Sequence, residues 1–440
     1  SIIDDAAIYA ETAQKQGDKN DFIPIIIAAE FFKNNDYQKV IDTLGKTNAV
    51  LYKKLVAPLG KAWAYVGLNK YKKAIAAIDV LKKEKGMESL YHMHSGMIHD
   101  FFNSPEEAAK HYEAILNDSE MELSVRTLQV ICNFYIRQQE KDKAVQLSEK
   151  FATTLFPFDI LQKMHNQVIS ADALTTQPVL TSPQIAFSDG LFNIASVLKH
   201  TPELIDFSHL FIRLALYENP QNDLARLLLA NILELREMYK NAILIYDEIP
   251  STSFAYYIAQ YKKAENLRNL NDYKGAELLL KSLLLDHPED YQLLIDLSDT
   301  LRLQDKYKEA LKYYTQALEK HKSTVGKMWQ GYYAIGITQE RLGNWPEAEK
   351  YLQKALKKNP NNLLVLNYLG YTWLRQGKNT DEAFAFIANA YSQAPFNGSI
   401  IDSMGWAFYQ LGMYSEAIAY LEKATEIESK IGRASCRERV

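Results

Sequence analysis

At 440 residues the chain is long enough for two or three globular domains or for one extended repeat array. With 47% hydrophobic and 24% charged residues it has an ordinary folded composition, and a formal charge of -4 without a basic block disfavours nucleic-acid binding by an electrostatic stripe. No apolar run approaches the roughly 18 residues of a membrane span, and two cysteines, Cys132 and Cys436, support neither a disulfide framework nor a four-cysteine zinc site.

Ser1 falls inside a helical pattern, and residues 1–17 read as half of a helix pair. Full pairs are expected near 21–48, 55–86, 89–118 and 125–153. Their register is carried by "NDYQKV" and "NKYKKA", whose aromatics Tyr37 and Tyr71 lie 34 residues apart. Three residues after Tyr71 comes the small residue Ala74, the same beat continues through Ala108 and Ala144, and another small residue lies twelve residues before each (Ala62, Gly96, Cys132). Small side chains at both places let paired helices approach closely. "YHMHSGMIHD" places His92, His94, His99 and Asp100 together, with His111 on the next helix. They could supply zinc ligands, but these are places where bulky residues pack, so a structural role is expected.

The beat fails after residue 154. "FPFDILQKMHNQVISADA" reads as one helix beginning near Pro157, with Phe158, Leu161, His165 and Val168 on one stripe. "LTTQPVLTSPQIAFSD" carries two prolines and no helical period. Residues 155–188 are therefore expected to be a degenerate helix and a linker, with the long 172–188 loop either functional or a join between two halves.

From 189 the beat resumes with pairs near 189–220, 222–250, 257–288, 291–322, 329–360, 363–395 and 398–429. "EMYKNA", "NDYKGA", "DKYKEA", "GNWPEA" and "GMYSEA" mark the turns, and Pro220, Pro288, Pro360 and Pro395 mark the ends of units. The last ten residues, "IGRASCRERV", break the pattern and read as a vector or adaptor scar. Without Arg433, Arg437, Glu438 and Arg439, a net +2, the charge moves from -4 to -6. An array of this kind needs a capping helix at each end, and a natural continuation beyond Lys430 is expected.

A 34-residue beat of helix, turn and helix resembles the tetratricopeptide repeat. The resemblance implies an all-α solenoid of stacked helix pairs with a right-handed superhelix. It would comprise an N-terminal array over 1–154 and a C-terminal array of about seven units over 189–430. The first helix of each unit lines the groove. In the last three units the groove places are Gln330, Tyr333, Ile337 and Glu340, then Leu364, Asn367, Tyr371 and Leu374, then Ser399, Asp402, Trp406 and Tyr409. Exposed aromatics with a few polar groups suit a peptide or a partner helix. Within "DSMGWAFYQLG", Ile401, Met404, Phe408 and Leu411 are the expected buried stripe, and Gly405 is the close-approach residue. Repeats that hold the C-terminal carboxylate of cytosolic heat-shock chaperones use Lys at the fifth place and Asn at the ninth. Here the pairs include Leu59/Trp63, Leu227/Asn231, Ile295/Asp299 and Asn367/Tyr371. None fits.

No phosphate-binding loop, dinucleotide fingerprint, zinc-protease motif or nucleophile elbow occurs. Carboxylates lie on faces interleaved with lysine, as in "LKKEKGMES", and are solvated. The expectation is a non-enzyme without cofactor or metal. "VLNYLGYTWLRQGKNTDEAFAFIANAYSQAPFNGSIIDSMGWAFYQLGMYSEAIAYLEKA" is similar to bacterial cell-envelope repeat proteins. The likeness implies an outer-membrane lipoprotein facing the periplasm. Such an adaptor recruits a C-terminal processing protease and its cell-wall hydrolase substrates, and is anchored by an N-terminal lipid. A cytoplasmic adaptor of the same fold, and the repeat arm of an enzyme whose catalytic domain lies elsewhere, are the alternatives.

Overall fold

The computed structural model describes residues 22–45, 52–118, 124–154, 158–173, 175–320 and 328–431. The expected half unit at 1–17, Pro157, and residues 432–440 of the expected scar lie outside them. Among the described residues all regular elements are helical. In chain order they are α1 (Ile23–Lys33), α2 (Tyr37–Leu44), α3 (Ala57–Gly67), α4 (Tyr71–Ile78), α5 (Glu88–Phe101), α6 (Pro105–Asn117), α7 (Val125–Arg137) and α8 (Lys141–Thr154). Then come α9 (Phe158–Ser170), α10 (Pro183–Leu198), α11 (Ile205–Glu218), α12 (Asp223–Leu235), α13 (Tyr239–Asp247), α14 (Tyr256–Asn269) and α15 (Tyr273–Asp286). The chain closes with α16 (Tyr291–Leu303), α17 (Tyr307–Lys320), α18 (Met328–Arg341), α19 (Trp345–Lys358), α20 (Leu363–Arg375), α21 (Thr380–Gln393), α22 (Gly398–Gln410) and α23 (Tyr414–Ile431). Two compact units result, residues 1–270 and 271–440.

The turn within a pair explains the recurrent aromatic. The residue two places before it has a left-handed backbone: Asn35 (φ 59°), Asn69 (57°), Glu237 (58°), Asn271 (60°), Asp305 (58°), Gly343 (77°) and Gly412 (74°). Asn, Asp and Gly tolerate this conformation best. At three of these turns the phenol donates to the turn side chain. Tyr37 Oη lies 2.8 Å from Asn35 Oδ1 and Tyr273 Oη 2.7 Å from Asn271 Oδ1, and Tyr307 bonds Asp305 in the same way. Tyr37, Tyr273 and Tyr307 thus fix turns.

The small residues sit where they were expected. Ala62, Ala74, Ala230 and Ala242 are fully buried. A Cβ on Gly96 would come within 2.6 Å of the Tyr112 ring, and one on Gly370 within 2.7 Å of the Ala383 carbonyl. Side-chain caps at Ser124, Asn222, Asp290, Asn362 and Asn397 satisfy backbone N–H groups at first-helix starts.

The 155–188 region differs from expectation at its end. α10 begins at Pro183, not at 189, because Ser182 accepts from the Ile185 N–H and Pro183 occupies the first turn. The preceding loop is tied down: Asn133 Nδ2 donates to the Gln177 carbonyl at 2.9 Å, and Lys141 Nζ donates to the Ala171 carbonyl at 2.7 Å.

Candidate functional site

In the first unit the face that α1, α3, α5 and α7 present is covered by the chain itself. α10 lies across all four. Its Phe187 ring stacks on Phe32 of α1 at 4.3 Å, and a Cβ on its Gly190 would meet Leu59 of α3 at 2.2 Å. Asn193 Nδ2 reaches Met93 Sδ of α5 at 3.4 Å. Asp189 accepts from Arg126 of α7, with Oδ2 at 3.0 Å from Nε and 2.7 Å from Nη2. Burial pushes the Asp189 carboxyl up and Arg126 pulls it back. α11 continues the contact: Tyr217 Oη donates to Glu30 Oε2 at 2.5 Å, and Lys33 Nζ donates to the Tyr217 carbonyl at 2.9 Å. The fully buried aromatic core of this unit, including Phe32, Trp63, Phe187 and Phe211, forms around this crossing.

The histidines of "YHMHSGMIHD" go to separate partners. His94 is fully buried and accepts from Trp63 Nε1 at 3.1 Å, and burial holds its pKa down at about 3. His99 Nδ1 pairs with Tyr71 Oη at 2.9 Å, and Asp100 forms an ion pair with Arg137. His92 Nδ1 lies 3.0 Å from His111 Nδ1, as the spacing anticipated. Burial first, then repulsion from His92 and His99, lowers the His111 pKa to about 4. Among the described residues no group of three or more His, Cys, Asp or Glu is arranged to hold a metal ion.

In the second unit the corresponding face is formed by α16, α18, α20 and α22. Tyr333, Ile337, Asn367, Tyr371, Asp402 and Trp406 are half-buried there, and Tyr409 is 50% exposed. Leu374 differs: it is buried in the cluster with Trp373, Met404 and Ala407. A row of rings runs along the C-terminal end, Tyr371 to Trp406 at 6.4 Å, Trp406 to Tyr409 at 5.4 Å in a stack, and Tyr409 to Tyr414 at 5.7 Å. Trp406 Nε1 and Asn367 Oδ1 are buried without hydrogen-bond partners. Such unmet groups are uncommon in folded proteins. Glu340, by contrast, is held by Arg375 at 3.1 Å and by the Tyr368 hydroxyl at 3.2 Å. The stripe on α22 needs one correction. Ile401 and Met404 are buried and Phe408 is half-buried, but Leu411 is 41% exposed, because it is the residue after the helix rather than its last turn.

Sequence reasoning named no residue of α16 or α17 as a site, yet a cavity of about 250 Å³ opens there, between Tyr291, Asp299, Arg302, Tyr314 and Tyr333. Tyr314 lies on a second helix, outside the places assigned to the groove, and its hydroxyl donates to Asp299 there.

Fold and face together define an all-α helical-repeat solenoid whose second unit keeps its first-helix face open. Models of the tetratricopeptide repeat family match residues 261–323 and 333–398, and a further one matches 400–431. Over these residues the chain is similar to the tetratricopeptide repeat. A TPR repeat-containing protein of Pseudomonas aeruginosa is 27% identical over 135 residues, 31% of this chain and 22% of that protein. The BBSome complex member BBS4 of Bos taurus is 26% identical over 134 residues, 30% of this chain and 25% of that protein. The matches thus span about a quarter of these curated relatives. A tetratricopeptide repeat protein from Parabacteroides merdae, of known structure, is 16% identical and aligns over 55% of this chain and 93% of its own, with a TM-score of 0.47.

Proposed function

We propose that the chain is a non-catalytic protein-binding scaffold that holds a partner segment on the α16–α18–α20–α22 face. One contrast carries the reading. The equivalent face of the first unit is filled by α10, whereas the second leaves Tyr333, Tyr371, Trp406 and Tyr409 partly in solvent. Half-buried Tyr and Trp supply large contact area at low entropy cost, and such residues dominate binding energy where partners dock. Placement in the bacterial envelope, with a lipid anchor and a processing protease or cell-wall hydrolase as partner, rests on the likeness of "NYLGYTW" and "IIDSMGWAFYQLG" to envelope repeat proteins.

Changing Tyr371 and Trp406 together to Ala tests the face. Partner capture from cell extract should fall at least tenfold while the thermal midpoint stays within a few degrees. Unchanged capture would place the partner elsewhere. Fractionation of cells expressing the native gene tests the envelope placement. Recovery in the cytosol alone would exclude it.

A further inference from the structure

The α16–α17–α18 cavity has a size, wall and charge balance that specify what enters it. Its volume is about 250 Å³, below the roughly 300–1,000 Å³ of small-molecule sites and above the roughly 150 Å³ that accommodates a benzene ring. One bulky side chain fits. Three tyrosines, Tyr291, Tyr314 and Tyr333, line it together with Ile295 and Ile337. Rings of this kind favour edge and offset contact with another ring.

The polar edge is internally neutralised. Tyr314 donates to Asp299, and Arg302 Nη2 lies 3.6 Å from Asp299 Oδ1. A charged guest would give up its hydration without finding an unpaired counter-charge, which is costly in a partly enclosed site. Arg302 retains one buried N–H, at Nε, without an acceptor. A neutral guest whose carbonyl oxygen follows its side chain to the cavity edge can supply one.

We propose that this cavity is the anchor subsite of the partner face and that it takes a neutral aromatic side chain, phenylalanine or tyrosine, from the bound protein segment. The proposal rests on the partner-face reading and adds the identity of the anchor. It also gives the face a polarity: anchor at α16–α18, ring row at α20–α22.

The test uses the full chain with four probes: the N-acetyl amides of phenylalanine, tyrosine, glutamate and lysine. Saturation-transfer NMR should detect the two aromatic amides, each competing with the other. The charged amides should bind at least tenfold more weakly. Ala334→Phe, which fills the cavity, should weaken aromatic binding about tenfold. Should that variant melt early, Tyr333→Ala removes a wall instead and should weaken binding similarly. Leu278→Ala, on the exposed side of α15, should leave amide binding unchanged. Equal binding of charged and aromatic amides, or aromatic binding indifferent to both cavity variants, overturns the proposal. Partner cross-linking from positions 371 and 406 separates the two readings. Cross-links without amide binding remove the anchor and keep the face, and amide binding without cross-links does the reverse.

Discussion

Glu237 holds a left-handed conformation at φ 58° that the other turns mostly assign to Asn, Asp or Gly. A side chain of that kind costs roughly 1–2 kcal/mol there, so Glu237→Gly should raise stability by about 1 kcal/mol in chemical denaturation, less the entropy that glycine adds to the unfolded chain. Asp189 is the opposite case, a fully buried carboxylate whose partner is Arg126. Removing one partner of a buried ion pair leaves the other uncompensated. Asp189→Ala should therefore destabilise the first unit by about 3–5 kcal/mol. The histidines add a pH dependence. His94 and His111 have folded values of about 3 and about 4, below the ordinary 6.5. Below 6.5 the unfolded chain binds protons that the folded chain refuses, so their contribution is present above that pH and is lost as pH falls toward 4 and 3. The thermal midpoint should drop between pH 7 and pH 4.5, and His111→Gln should flatten the drop. In the second unit burial pushes Glu277 up, but hydrogen bonds from Lys281, Lys306 and Gln304 outweigh it and hold the carboxyl at about 2. That contribution persists above the unfolded carboxylate range and fades only between about pH 4.5 and 2.

Pairing of helices depends on what the small residues leave unfilled. A methyl at Gly370 would sit 2.7 Å from the Ala383 carbonyl, against backbone that has little room to move. Helix propensity gains about 1 kcal/mol from Gly→Ala, whereas overpacking costs about 1–3 kcal/mol. Gly370→Ala should therefore lower stability, and a rise in the urea midpoint would show that α20 and α21 can separate. Helix pairs were the most legible level of the sequence, because the aromatic, the small residues and the turn all lie within one unit's length. Gln139 breaks the turn's Asn/Asp/Gly rule and still takes φ 64°, so register outranked residue type. The start of α10 was less legible. Pro183 reads equally as a breaker or as a first-turn residue, and Ser182 decides only once its side chain is seen to cap. Leu374 shows the limit of place counting. A residue at a groove place is still buried when the next first helix, α22, packs against it.

At the scale of the molecule the decisive arrangement could not be read from spacing. Phe187 and Phe32 are 155 positions apart, and Asp189 and Arg126 are 63 apart. Nothing in a 34-residue beat reports such a crossing. It makes the two units unlike: one has its first-helix face filled by its own α10, the other leaves that face to solvent. The claim that a partner docks on the α16–α18–α20–α22 face of the second unit is tested most directly by photo-cross-linking from single positions in cells. Probes at Tyr371 and Trp406 on the open face should capture one common protein. Probes at Leu278 and Leu285, which are 64% and 82% exposed on α15, should not. The same protein captured equally from all four positions, or from α15 alone, would contradict the account.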